Sequence, residues 1–191
     1  AGVAADRIQE VLDTESSIHD APDVKDAALA QARGELSFQD VSFRYEGADE
    51  DALEHISFTA RPGETTAIIG STGCGKSTLI HLIPRFYDVR EGSIRIDGVD
   101  IREISQQKLR SLLGFVPQKG NLFSGDIASN IRFGGDWITE EQMKEAARIA
   151  QAEEFINSKP ERYADPIAQG GTNVSGGQKQ RLSIARAIAK E

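Results

Sequence analysis

Gly70-Ser71-Thr72-Gly73-Cys74-Gly75-Lys76-Ser77-Thr78 follows the apolar run Ala67-Ile68-Ile69 and precedes Leu79-Ile80-His81-Leu82-Ile83. Strand, glycine loop and helix in that order make a phosphate cradle, because only a glycine-rich turn lets backbone N–H groups converge on dense negative charge without Cβ clashes. Gly70, Gly73 and Gly75 supply that backbone, with Ser71, Thr72, Cys74 and Thr78 completing the loop. Lys76 is spaced to reach the outer phosphates and Ser77 to offer its hydroxyl to Mg2+, while the following helix adds its positive end. A turn without ligand would explain the glycines alone; the strand and helix context favours a nucleoside triphosphate.

Outside this stretch, composition sets broad bounds. At 191 residues and 39% hydrophobic content the chain is sized for one globular domain, with room for a subdomain. No run of about 18 apolar residues occurs, and the first residues lack a basic start followed by an apolar stretch, so neither a membrane span nor secretion is expected. The single cysteine, Cys74, can form no internal disulfide and suits a reducing compartment. The net charge of -8 is uneven: residues 1–54 hold 14 acids against 4 bases, the remainder 16 against 18. An acidic chain without a basic stripe is a poor candidate for nucleic acid, whose binding depends on phosphate neutralisation. A solvated acidic linker is the expected meaning of the N-terminal excess.

Arg7 to Leu12 carries Ile8, Val11 and Leu12 at helical spacing, and the acidic, Ala-rich stretch from Asp13 to Gly34 reads as a linker. From Glu35 the pattern alternates: Leu36, Phe38, Val41, Phe43 and Tyr45 predict strands interrupted near Gln39-Asp40, followed by strands at 56–58 and 65–69. Pro84 should end the loop helix, and Asp97-Gly98 should close a hairpin between 93–96 and 99–101. Residues 106–112 read as a helix and 113–116 as a short buried strand. Further on, Thr139 can cap a helix with Gln142, with Met143, Ala146, Ala147 and Ala150 on one face. Residues 159–174 form a Pro- and Gly-rich loop before a last helix from Gly176, whose apolar face is Leu182, Ala185, Ile188 and Ala189.

Val174-Ser175-Gly176-Gly177-Gln178 opens that helix with a hydroxyl and free N–H groups, an anion-binding start for which a plain Ser175 N-cap is the simpler reading. Taken with the glycine loop, these residues resemble the nucleotide-binding domain of an ATP-binding cassette (ABC) transporter, over nearly the whole chain. Lys76 and Ser175 stand about 100 residues apart, as in a transporter cassette. The 123–131 stretch and the segment 5–13 resemble the multidrug and lipid exporter branch. The departures are Val174, where the family more often has Leu, and Asp165-Pro166-Ile167-Ala168-Gln169-Gly170-Gly171, which differs from the usual cross-communication loop.

The resemblance implies an α/β fold, a P-loop NTPase core with an antiparallel β subdomain and an α-helical signature subdomain. It divides the chain into a connector from a transmembrane domain at 1–33 and a partial cassette at 34–191. Within that cassette, 34–117 holds the β subdomain and P-loop core, 118–180 the helical subdomain, and 181–191 the return to the core. Tyr45 would stack on adenine, with a packed strand tyrosine as the alternative. Gln118 would complete Mg2+ coordination beside Ser77 and sense the γ-phosphate. Ser175, Gly176, Gly177 and Gln178 would close over ATP held by a second nucleotide-binding domain, identical or not.

The implied setting is an exporter half at the cytoplasmic face of the cell membrane, its transmembrane domain on the same polypeptide and no nucleic acid among its partners. A soluble importer ATPase subunit and a non-transport regulatory cassette are the competing readings. The family's magnesium aspartate, water-polarising glutamate and switch histidine would follow Glu191, so the C-terminal part of the core is missing and these residues alone are expected to bind ATP without useful turnover. His19, His55 and His81 are expected at the surface or in packing, and Trp137 and Phe86 in core or subdomain packing.

Overall fold

A computed structural model describes residues 2–190. The chain falls into two compact units that divide between Leu112 and Leu113. No described helix is long and apolar enough to cross a membrane.

In the first unit, helix α1 (Gly2–Leu12) precedes a four-stranded antiparallel sheet of order β2-β1-β3-β4, with β1 at Leu36–Phe43, β2 at Leu53–Ala60, β3 at Glu91–Ile96 and β4 at Val99–Asp100. The alternation of Leu36, Phe38 and Val41 turns one face of β1 inward, and Phe38 stacks on its cross-strand partner Phe58 at 4.6 Å between ring centres. The interruption expected at Gln39-Asp40 is a β-bulge inside a continuous strand: Asp40 has φ 53°, and the pairing with both neighbours shifts there. Asp97-Gly98 closes the β3–β4 hairpin with both residues at positive φ, the two-residue turn that matches strand twist.

The helix after the glycine loop, α2 (Lys76–Leu82), stops before Pro84, and α3 covers Gln106–Ser111. Phe38, Ile94, Leu82, Ile104 and Leu109 are all at most 2% exposed and form the apolar interior of this unit.

Two expectations fail in this unit. Residues 65–69 form no strand, and Ile69 is 91% exposed. A strand owes its stability to ladder bonds with a neighbour, and none of the described strands pairs with this segment, so apolar character alone does not make it a strand. Phe86, expected in core or subdomain packing, is 42% exposed, with its ring facing His81 and the Arg110 guanidinium. Finally, the acidic stretch 13–34 is not a solvated linker throughout. The Asp20 carboxylate accepts from the Gln106 N–H, Asp26 accepts from both the N–H and hydroxyl of Ser105, and Lys25 pairs with Glu103. The buried Arg85 guanidinium donates to the His19 carbonyl, and Leu29 is 1% exposed. These residues form a strap, because carboxylates placed at the start of α3 meet otherwise unsatisfied N–H groups.

The second unit is helical: α4 (Ile127–Ile131), α5 (Glu140–Ile149), α6 (Glu153–Asn157) and α7 (Gly176–Ile188), with a two-residue ladder between β5 (Gly125–Asp126) and β6 (Pro166–Ile167). Helices α4, α5 and α7 each begin with a reciprocal capping box, at Asp126/Ser129, Thr139/Gln142 and Ser175/Gln178. Their apolar faces meet in one core that includes Ile127, Ile131, Ile138, Met143, Ala147 and Leu182.

Residues 113–116 are not a buried strand here; Val116 is 38% exposed, and none of the described strands includes or pairs with the segment. Trp137, expected in core or subdomain packing, is 56% exposed and so is not a core residue. Its indole lies flat against Gly135, where a Cβ would come within 2.1 Å of Nε1, and the adjacent Ile138 fills the interior instead.

Candidate functional site

The glycine loop is built as its residue types require. Gly75 is the N-cap of α2 at φ 86°, and a Cβ there would also meet the Ala52 carbonyl and the Leu53 side chain at 2.8 Å, so both backbone conformation and packing demand glycine. Gly70 is tight in another way: an added Cβ would lie 2.5 Å from Cys74 Sγ. Lys76 folds back over the loop, its ammonium donating to the Gly70 carbonyl at 2.9 Å and the Ser71 carbonyl at 2.6 Å, with Cys74 Sγ at 3.5 Å. Among the described residues this cation pairs with carbonyls and no carboxylate, partners that a phosphate oxygen outcompetes. Ser71, Thr72, Gly73 and Cys74 are exposed, and so is Ser77 on the first turn of α2.

Tyr45 follows β1 in the loop to β2. That loop is pinned by Asp51, whose carboxylate takes the Arg44 guanidinium at 2.8 Å and the Arg90 guanidinium at 2.9 Å, and by the Ala52 N–H bonded to the Phe43 carbonyl. The Tyr45 hydroxyl lies 2.9 Å from the hydroxyl of Thr78, and its ring meets Phe43 and Tyr87 edge-on at 4.8 Å and 5.3 Å. The ring is thus neither a buried core residue nor free; 36% of Tyr45 is exposed.

In the second unit, Gln118 is exposed on the loop 113–124. That loop is fastened along α7. Gly114 backs onto the Ala187 carbonyl, where a Cβ would come to 3.0 Å, and Gly120 lies so close to Lys179 and Ser183 that a Cβ would fall within 3 Å of both. The Lys190 ammonium donates to the Leu113 carbonyl and Arg186 to that of Asn121. Ser175 accepts from the Gln178 N–H while the Gln178 side-chain carbonyl accepts from the Ser175 N–H, so the Gln178 amide oxygen is committed to the cap. Gly176 and Gly177 are exposed, and a Cβ on either would meet no atom of this chain. Packing within the chain therefore does not call for glycine at these positions. In the loop before it, Asn173 bridges the Ala168 N–H and the Pro166 carbonyl, and Lys179 donates to the Gly170 carbonyl.

Sequence reasoning missed three positions. Asn130 is 1% exposed, and its side-chain amide bonds the Phe123 N–H and carbonyl and the Asp126 carbonyl; Arg186 reaches Asn130 and stands over the stacked rings of Phe123 and Phe133. Asn130 carries a readable signal, a polar residue among the apolar positions of α4. Tyr87 has none, since its role comes from a contact with Tyr45 across 42 positions.

Residues 53–191 match the family model described as ABC transporter. An uncharacterized ABC transporter ATP-binding protein of Mycobacterium tuberculosis is 47% identical over 193 residues, which take in 100% of this chain and 33% of that protein. A beta-(1-->2)glucan export ATP-binding/permease protein of Rhodopseudomonas palustris is 45% identical over 190 residues, 98% of this chain and 31% of its own. Among solved structures, a bacterial Atm1-family ABC exporter with ATP bound superposes with a TM-score of 0.89 at 37% identity, covering 99% of this chain and 33% of that one. The chain thus spans about a third of the length of these relatives.

Proposed function

This chain belongs to the ABC transporter family, and on that premise we propose that it is the ATP-binding cassette of an exporter, taking Mg-ATP on the glycine loop and driving export through a permease domain. The fold agrees: a mixed α/β unit with an antiparallel sheet and a helical unit that ends in the signature helix. In this reading Gly70 to Thr78 hold the triphosphate, Tyr45 carries the adenine, and Ser77 and Gln118 ligate Mg2+, which supplies charge neutralisation of the phosphates when bound. Ser175, Gly176 and Gly177 cover the γ-phosphate held by a second cassette. Gln178 acts through the cap it shares with Ser175.

The domain ranges follow from the same reading: a connector at 1–33, a β subdomain and P-loop core at 34–117, a helical subdomain at 118–180 and a return to the core at 181–191. Export fits the glucan-export and Atm1-family relatives and a site on the cytoplasmic face of a membrane. Gln118 and the loop before Ser175 would pass nucleotide-driven motion to the permease.

The observation that carries this reading is the Lys76 ammonium resting on two loop carbonyls, a cation stationed at the mouth of a glycine cradle. The test is Mg2+-dependent ATP turnover by the full-length protein. Lys76→Ala should reduce it by at least about a hundredfold, the usual loss when a charge-stabilising group is removed. Turnover that survives Lys76→Ala would overturn the proposal.

A further inference from the structure

Tyr45 and Thr78 lie 33 positions apart, yet their hydroxyls meet at 2.9 Å. The contact joins two pieces of the site that the sequence keeps separate: the aromatic ring after β1 and the first turn of the glycine-loop helix. Thr78 is 8% exposed, so its hydroxyl sits in a part-buried place where a polar group without a partner is costly. The Tyr45 ring is held on two further sides, by Phe43 with planes at 84° and by Tyr87 at 87°. Edge-to-face contacts of this kind fix ring orientation. Three independent restraints on a side chain that remains 36% exposed are more than packing needs.

Resting on the reading of Tyr45 as the adenine platform, we propose that Thr78 and Tyr87 are positioning residues: the Thr78 hydroxyl anchors the Tyr45 hydroxyl and Tyr87 sets its plane, so that base stacking and phosphate capture are mechanically one unit. The Tyr45 and Thr78 hydroxyls share one hydrogen bond, which aligns the ring relative to α2. Thr78 then contributes to nucleotide affinity through the base as well as through the loop to which it belongs. Loss of one such hydrogen bond corresponds to roughly a threefold to tenfold change in affinity.

The experiment uses the full-length protein and compares Mg-ATP with Mg-tripolyphosphate, which lacks the base. Thr78→Val and Tyr45→Phe should each lower the ATP-to-tripolyphosphate affinity ratio about threefold to tenfold, the double variant should be no worse than either, and Thr78→Ser should restore the ratio. Tyr87→Leu should lower it as well. A second, ligand-free readout is the rate of Tyr45 nitration by tetranitromethane, followed by mass spectrometry, which should rise in Thr78→Val and return in Thr78→Ser. Equal loss of ATP and tripolyphosphate in Thr78→Val, or an unchanged nitration rate, would overturn the anchor while leaving ATP binding in place. A wild-type protein that binds neither ligand would instead bring down the proposed function itself.

Discussion

Gly75 shows how a single residue type is dictated twice. Its φ of 86° excludes most side chains, and its missing Cβ makes room for the start of β2. Gly75→Ala should therefore destabilise the protein by about 1–3 kcal/mol, read as a lower urea midpoint, a range set by forcing an L residue into left-handed backbone. His55 offers a pH-dependent counterpart. Its ring bonds the Asp40 carboxylate at 2.8 Å, and that hydrogen bond first, then the carboxylate's charge, raises its pKa above the ordinary value. A raised folded-state pKa means that the contact contributes fully below the unfolded pKa of about 6.5 and is lost as pH rises through the folded one. NMR titration should place the His55 midpoint above 6.5, and Asp40→Asn should bring it down. The left-handed backbone of Gly73 and Gly75 was legible from sequence because a tight turn leading into a helix asks locally for glycine. The anchor of Tyr45 was not, because a contact across 33 positions leaves no periodic trace.

At the scale of elements, what read correctly was what the chain decides locally. The Thr139/Gln142 capping box, the Asp97-Gly98 turn and the buried stripe of α5 all arise from neighbours in sequence. The segment 65–69 misread because a strand is a relation between segments, and alternation says nothing about whether a ladder partner lies alongside. The strap misread for a similar reason: Asp20 and Asp26 look like solvated charge until the N–H groups of Ser105 and Gln106 are seen to receive them. The hydrogen bonds from Ser105, its side chain first, hold the Asp26 carboxyl below the ordinary carboxylate value, so the strap's contribution is present above that value and disappears as pH falls through the depressed one. Asp26→Ala should accelerate amide hydrogen exchange at Ser105 and along the strap at neutral pH; unchanged exchange would contradict the strap. In the helical unit, Leu182 on α7 is fully buried, and Leu182→Ala should cost about 2–5 kcal/mol in chemical unfolding.

Across the whole molecule, the β-rich first unit holds the glycine loop and Tyr45, and the helical second unit holds Ser175 to Gln178 and the loop of Gln118. The order of these parts was readable because two motifs with a physical rationale bracket the chain. The acidic excess was read too simply, since part of it is spent inside the first unit: Asp51 on two guanidiniums, Asp97 on the N–H groups of Arg33, Gly34 and Glu35, and Asp26 on α3. The central claim is that converging loop amides and the Lys76 ammonium capture a triphosphate. Calorimetric titration of the full-length protein with Mg-ATP addresses it most directly. The account predicts saturable heat with one site per cassette and an affinity at least about tenfold weaker in Lys76→Ala, as expected for loss of a charge-assisted contact. No heat of binding, or an affinity that Lys76→Ala leaves unchanged, would contradict it.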